Sequence, residues 1–189
     1  MTGYFKFLPI LLTIMRIILV IPIWICLSLE NIKIGSLLAF GLYISAACTD
    51  FLDGYLARKW DAVTILGKIL DPVADKILVS CILIKLVFLQ YANPLLASVI
   101  ISREILISGI RESSHELFFS KTAVLDVSFL SKIKTGVQFL AITILLLCGL
   151  DNPYINFIDI GNLVLFAASV LSFYTAFQYI YNIMLFLAK

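Results

Sequence analysis

The sequence predicts an all-α integral membrane protein with six transmembrane helices. Three observations carry this reading. The mean hydropathy is +1.08, with 62% hydrophobic residues. The apolar residues fall into runs close to the roughly 20 residues that cross a bilayer core. Basic residues gather on one side of those runs. A soluble chain of 189 residues would need far more polar surface to cover its core, and a net charge of only +2 gives no bulk attraction for nucleic acid.

The spans fall at about 8–29, 34–54, 72–91, 94–114, 129–150 and 160–187. The first apolar run, Leu8 to Leu29, is too long for a signal-peptide core and lacks a small-residue cleavage site near its end, so it reads as a retained helix. It contains Arg16, which is costly in a bilayer and must either snorkel or line a polar cavity. Pro22 marks a candidate kink. The second span ends in Asp50 and Asp53. The third opens on Asp71-Pro72, in the order of an N-cap and first helical residue. Span six carries a polar stripe at Thr175–Tyr179 that either meets a cavity or packs between helices.

Connections are short, the longest being 55–71 and 115–128. No repeat or linker divides the chain, so residues 1–189 read as one membrane-embedded domain. Cys26, Cys48, Cys81 and Cys148 lie in apolar runs without Cys-x-x-Cys spacing and read as small buried hydrophobes. His115 reads as an interfacial residue, and Trp24 and Trp60 as members of interfacial belts. Lys6, Arg58, Lys59, Lys68, Lys121 and Lys189 share one side, near Lys132 and Lys134, whereas the opposite loops hold only Lys33. The positive-inside rule therefore puts both termini and the acidic residues in the cytoplasm, at the inner membrane face.

Two groups of residues carry chemistry. The first is acidic: Asp50 and Asp53 are three apart, Asp71 and Asp75 four apart, so each pair shares a helix face. Two helix ends bearing two carboxylates each can face one another across the intervening loop. Such carboxylates repel unless cations neutralise them, and hard oxygen ligands favour Mg²⁺ or Mn²⁺. Two such ions suit displacement at phosphorus. The second group is cationic: Arg103 and Arg111, two turns apart on one face, and Lys132 and Lys134 at the head of span five. Their convergence suits a phosphate; interfacial anchoring to anionic lipid is the alternative.

The pattern Asp50-x2-Asp53-Gly54-x2-Ala57-Arg58-x8-Gly67-x3-Asp71-x3-Asp75 resembles the signature of the CDP-alcohol phosphotransferase family at every fixed position. Eight fixed residue types at fixed spacing arise by chance on the order of 10⁻¹⁰ per start position, which sets the pattern apart from a solvated helix end. Leu12-Thr13-x-x-Arg16 resembles the family's first helix, where these residues approach the nucleotide. Ile101–Arg111 and Ser131–Thr135 resemble its phosphatidylglycerophosphate-forming branch. The likeness runs from about Leu8 to Leu147. It departs at Pro9-Ile10-Leu11, where the family often has Pro-Asn, and at the Phe118–Val127 loop.

The resemblance implies transfer of the phosphatidyl group of CDP-diacylglycerol to glycerol 3-phosphate by a homodimer. It implies that Asp50, Asp53, Asp71 and Asp75 hold two Mg²⁺ or Mn²⁺ ions. Asp75 would be the general base for the acceptor hydroxyl. Thr13, Gly54, Ala57, Arg58 and Gly67 would bind the CDP-lipid, with Arg58 on the pyrophosphate. The acceptor phosphate falls to Arg103, Arg111, Lys132 and Lys134. The same chemistry with serine, inositol phosphate or phosphatidylglycerol as acceptor is the nearest alternative, and the four cations favour a phosphorylated one. An ion-coupled transporter is a different class, disfavoured because there are no paired broken helices and no inverted repeat.

Overall fold

The computed structural model describes residues 8–59, 65–117, 129–150 and 156–187, with side chains described for 11–49, 70–110, 133–150 and 156–184. Six α-helices make up the bundle: α1 Leu8–Cys26, α2 Ile32–Lys59, α3 Ile65–Phe88, α4 Pro94–Leu117, α5 Phe129–Leu146 and α6 Phe157–Leu187. A 3₁₀ turn at Leu147–Leu150 extends α5, and there is no strand among the described residues.

These helices fall where the six apolar runs place them, with one correction at the acidic motif. α2 continues to Lys59 and α3 begins at Ile65, so the loop expected at 55–71 contracts to 60–64, which lies outside the described residues. Pro72 is therefore inside α3 rather than at its first position. A proline there forgoes its bond to the carbonyl of Lys68, and packing of α3 against α1 supports the backbone on both sides of it.

Three helices carry windows long and apolar enough to cross a membrane: Ile32–Thr49, Ile133–Leu150 and Phe157–Met184, with a shorter apolar stretch at Leu11–Cys26. Charges interrupt the apolar runs of the other two, at Asp71, Asp75, Lys76 and Lys85 in α3 and at Arg103, Glu104 and Arg111 in α4. Leu11, Ile18, Ile25, Leu163 and Phe173 face outward, a surface that suits lipid.

α1 packs against both α2 and α3, α5 against α6, and α4 against α6. The core includes Ile23, Ala39, Tyr43, Ile82, Leu86, Ile142, Leu145 and Leu165. Tyr43 stacks on Phe139 with ring centroids 5.0 Å apart.

Asparagines organise the end of the bundle away from the acidic motif. Asn31 accepts from the Ile34 amide at the start of α2 (3.2 Å), and Asn93 accepts from the Leu95 amide ahead of Pro94 (2.9 Å). Asn156 accepts from the Asp159 amide (3.4 Å). Each N-cap of this kind contributes about 1 kcal/mol. Asn162 of α6 ties the α3–α4 turn down, accepting from the Asn93 amide (2.7 Å) and donating to the Tyr91 carbonyl (2.8 Å). α3 ends in a left-handed residue, Gln90 (φ 62°), and the Tyr91 amide reaches back to the Leu86 carbonyl at 2.9 Å. Gly35 and Gly149 let this end close up. A Cβ on Gly35 would overlap the Cys26 carbonyl, and one on Gly149 would overlap the Ser36 hydroxyl.

Candidate active site

The site is built between α1 and α3. Thr13 and Arg16 are three apart on α1, and Asp71 and Asp75 are four apart on α3, so each pair occupies about one turn of its helix. The pairs meet as two rungs. The Thr13 hydroxyl donates to Asp71 Oδ1. Arg16 Nη1 donates to Asp75 Oδ1 at 2.8 Å. Arg16 is 1% exposed and Asp75 51% exposed. The arginine thus lines a polar site rather than snorkelling, and it offsets its burial by pairing with a carboxylate. Asp75 is thus fixed by Arg16 and still half exposed.

The backbone places Asp50, Asp53, Gly54, Ala57 and Arg58 on the last turns of α2 and Gly67 on the first turn of α3. Their side chains lie outside the described residues, as do those of Arg111, His115 and Lys132. α1 packs on both α2 and α3, the two helices that carry the motif.

The donor set at Asp71 and Asp75 fits a divalent cation. The oxygens are hard, the two carboxylates sit one turn apart, and each is oriented by a second residue, as ligating carboxylates commonly are. Thr13 and Arg16 would stand behind the ligands, and Asp71 and Asp75 would hold the ion.

The two cations of this group whose side chains are described, Arg103 and Lys134, are already engaged. Arg103 Nε donates to the Ser172 carbonyl (3.0 Å) and Nη2 to the Thr175 hydroxyl (2.8 Å), both on α6. Lys134, 3% exposed, is ion-paired with Glu104, whose carboxylate also lies 3.7 Å from Arg103 Nη1. Glu104 therefore bridges the two cations that side-chain geometry describes, and an anion arriving there must compete with it. Sequence reasoning assigned no role to Glu104 and left the role of Thr175 open. The available signal was the spacing Ser169, Ser172, Thr175, a stripe on one face of α6, two of whose residues satisfy the partly buried Arg103. Arg16 was noticed, but its partner was not. The i, i+3 spacing of Thr13 and Arg16, matched to the i, i+4 spacing of Asp71 and Asp75, is the signal that pairs them.

The four cysteines are free thiols. Trp24, partly exposed, donates its indole N–H to the Cys81 carbonyl at 3.0 Å and so links α1 to α3.

Carboxylates braced from a neighbouring helix in an apolar bundle fit a class: membrane-embedded proteins that carry polar chemistry between their own helices. The chain belongs to the CDP-alcohol phosphatidyltransferase family, whose model matches residues 6–186. Divalent-metal dependence is general in that family. Among similar proteins, a CDP-diacylglycerol–glycerol-3-phosphate 3-phosphatidyltransferase of Rickettsia typhi is 41% identical over 175 residues, covering 92% of this chain and 95% of its own. Proteins of the same name from Haemophilus influenzae and Sodalis glossinidius are 38% and 36% identical over 176 residues. Those matches cover 92% of this chain and 91% and 93% of theirs.

Proposed function

We propose that this chain, as a single membrane-embedded domain, transfers the phosphatidyl group of CDP-diacylglycerol to glycerol 3-phosphate, giving phosphatidylglycerophosphate and CMP. The acceptor follows the activity for which relatives matching over nine-tenths of the chain are named. The observation that carries the site is the double brace of Asp71 by Thr13 and Asp75 by Arg16.

In this reading Asp50, Asp53, Asp71 and Asp75 hold two Mg²⁺ or Mn²⁺ ions. When bound, the ions neutralise charge on the phosphoryl oxygens and on the departing CMP. Asp75, held by Arg16 and half exposed, takes the proton from the acceptor hydroxyl as that oxygen attacks the phosphorus bearing the lipid. Arg58 steadies the pyrophosphate, Gly54, Ala57 and Gly67 line the path of the CDP-lipid, and Thr13, buried behind Asp71, serves that site by fixing the carboxylate. Arg103, Arg111, Lys132 and Lys134 hold the acceptor's phosphate, with Glu104 keeping Arg103 and Lys134 placed until it arrives. All six helices span the bilayer, and the acidic end and both termini face the cytoplasm at the inner membrane, where charged soluble acceptors are found. The acyl chains stay in the bilayer, since extracting them costs about 0.8 kcal/mol per CH₂. Two copies assemble as a homodimer.

The deciding experiment assays purified protein for CMP release from CDP-diacylglycerol with glycerol 3-phosphate, serine, inositol phosphate and phosphatidylglycerol as separate acceptors. Glycerol 3-phosphate should be the efficient one. Turnover carried by any of the others overturns the acceptor assignment.

A further inference from the structure

We propose that the end of the bundle opposite the acidic motif holds a binding site for the phosphate headgroup of an anionic phospholipid, with Lys85 as its cation. Lys85 lies in the last turn of α3, ten residues beyond Asp75 and so about 15 Å further along the helix axis. A lysine at a helix end in a membrane protein ordinarily extends its flexible stem to the polar surface. Lys85 does the opposite: it is only 6% exposed. Its ammonium turns inward to the Ser28 hydroxyl at 2.7 Å. It lies 5.3 Å from the ring centroid of Trp24 and 5.2 Å from that of Phe88. An ammonium has three N–H donors. Here one meets a neutral oxygen, and no carboxylate of the described residues lies within ion-pair distance. A buried cation that gives up hydration without an anionic partner is costly, and a bound anion removes that cost.

The space for the anion adjoins the ammonium. A cavity of about 330 Å³ is lined by Ser28, Leu29, Ile32, Ser36, Lys85 and Phe88, among others. Its polar side chains are Lys85, Ser28, Ser36 and Tyr91, with Lys85 the one cation, while Leu29, Ile32 and Phe88 are exposed apolar residues that suit acyl chains. This pairing of a cationic floor with an apolar rim selects a phosphate carried on a lipid; a free phosphate would leave the rim without a use. The cup is preformed: the indole of Trp24 is fixed to the Cys81 carbonyl, and Gly35 and Gly149 bring α1, α2 and the 3₁₀ turn together around it. The site is independent of the reaction proposed above.

Trp24, whose ring lies 5.3 Å from the Lys85 ammonium, reports on that cation, and Trp60→Phe leaves it as the sole tryptophan. The full chain in neutral detergent micelles is titrated with dihexanoyl phosphatidylglycerol, dihexanoyl phosphatidylcholine and inorganic phosphate while Trp24 emission is followed. Phosphatidylglycerol should give a saturable change at concentrations where the other two give none. Lys85→Met should weaken that binding by about tenfold or more, whereas Lys85→Arg should keep it within about threefold, since charge-assisted hydrogen bonds to phosphate are the strong ones. Phe88→Ala, at a residue 77% exposed and so tolerated by the fold, should weaken it several-fold. No Trp24 response to phosphatidylglycerol, or an unchanged response in Lys85→Met, overturns the site. Equal saturation by inorganic phosphate overturns the lipid assignment. Where Lys85→Met fails to fold, unchanged affinity in Phe88→Ala overturns the lipid-lined rim and the proposal with it.

Discussion

Replacing Thr13 by valine removes one hydroxyl and changes little else. The side chain is fully buried, so a near-isosteric substitution preserves packing while the Asp71 carboxylate loses its donor. A hydrogen bond to a charged group contributes about 1.5–3 kcal/mol. At about 1.36 kcal/mol per factor of ten, a full loss corresponds to roughly 10- to 160-fold. Asp71 is half-buried, so water replaces part of the bond and the expected fall in kcat/KM is toward the lower end, roughly 10- to 30-fold. That agrees with the ~10–100-fold losses seen when a partner behind a metal ligand is removed. The assay is CMP release from CDP-diacylglycerol across a Mg²⁺ titration. Thr13→Val should lower kcat/KM and raise the Mg²⁺ concentration for half-maximal rate, and Thr13→Ser should restore both to within about threefold. A valine variant with unchanged rate and Mg²⁺ dependence refutes the positioning role. Equal losses in the serine and valine variants trace the effect to packing instead.

Asp53→Asn should abolish CMP release while leaving the helical circular dichroism intact; a folded variant with normal turnover removes Asp53 from the metal site. Exhaustive EDTA treatment should silence the enzyme, and Mg²⁺ or Mn²⁺ should restore it, so full activity in the chelated protein refutes a metal requirement. Arg111→Gln should raise the KM for glycerol 3-phosphate by roughly tenfold to a hundredfold in neutral micelles, where lipid anchoring cannot contribute; an unchanged KM returns Arg111 to an interfacial role. Gln90→Gly relieves a left-handed non-glycine residue and should stabilise the protein by about 0.5–1 kcal/mol, read as a raised thermal midpoint. A lowered midpoint shows that the Gln90 side chain contributes more than its backbone strain costs.

The sequence by itself determined the helices and the chemistry they can carry. Hydropathy runs place α1 to α6, because a bilayer demands continuous apolar segments whatever their neighbours are. The spacing of Asp50, Asp53, Asp71 and Asp75 sets two carboxylates on one face of each of two helices, and carboxylates in an apolar chain call for cations. Local rules read Asp71-Pro72 as a helix start, whereas α3 runs through Pro72 back to Ile65 and packs against α1, a case in which local propensity does not set the boundary. Only the tertiary structure decided which polar groups meet. Arg16 chooses Asp75, 59 residues away, Glu104 takes Lys134, 30 residues away, and Arg103 takes Ser172 and Thr175 on α6. Lys85 turns inward to Ser28, 57 residues away, although its position at a helix end reads as one for an exposed side chain. The reason is physical. Periodicity fixes which face of a helix is polar, but the partner for a buried charge is set by the rotation and depth of neighbouring helices, and those arise from packing along the whole bundle.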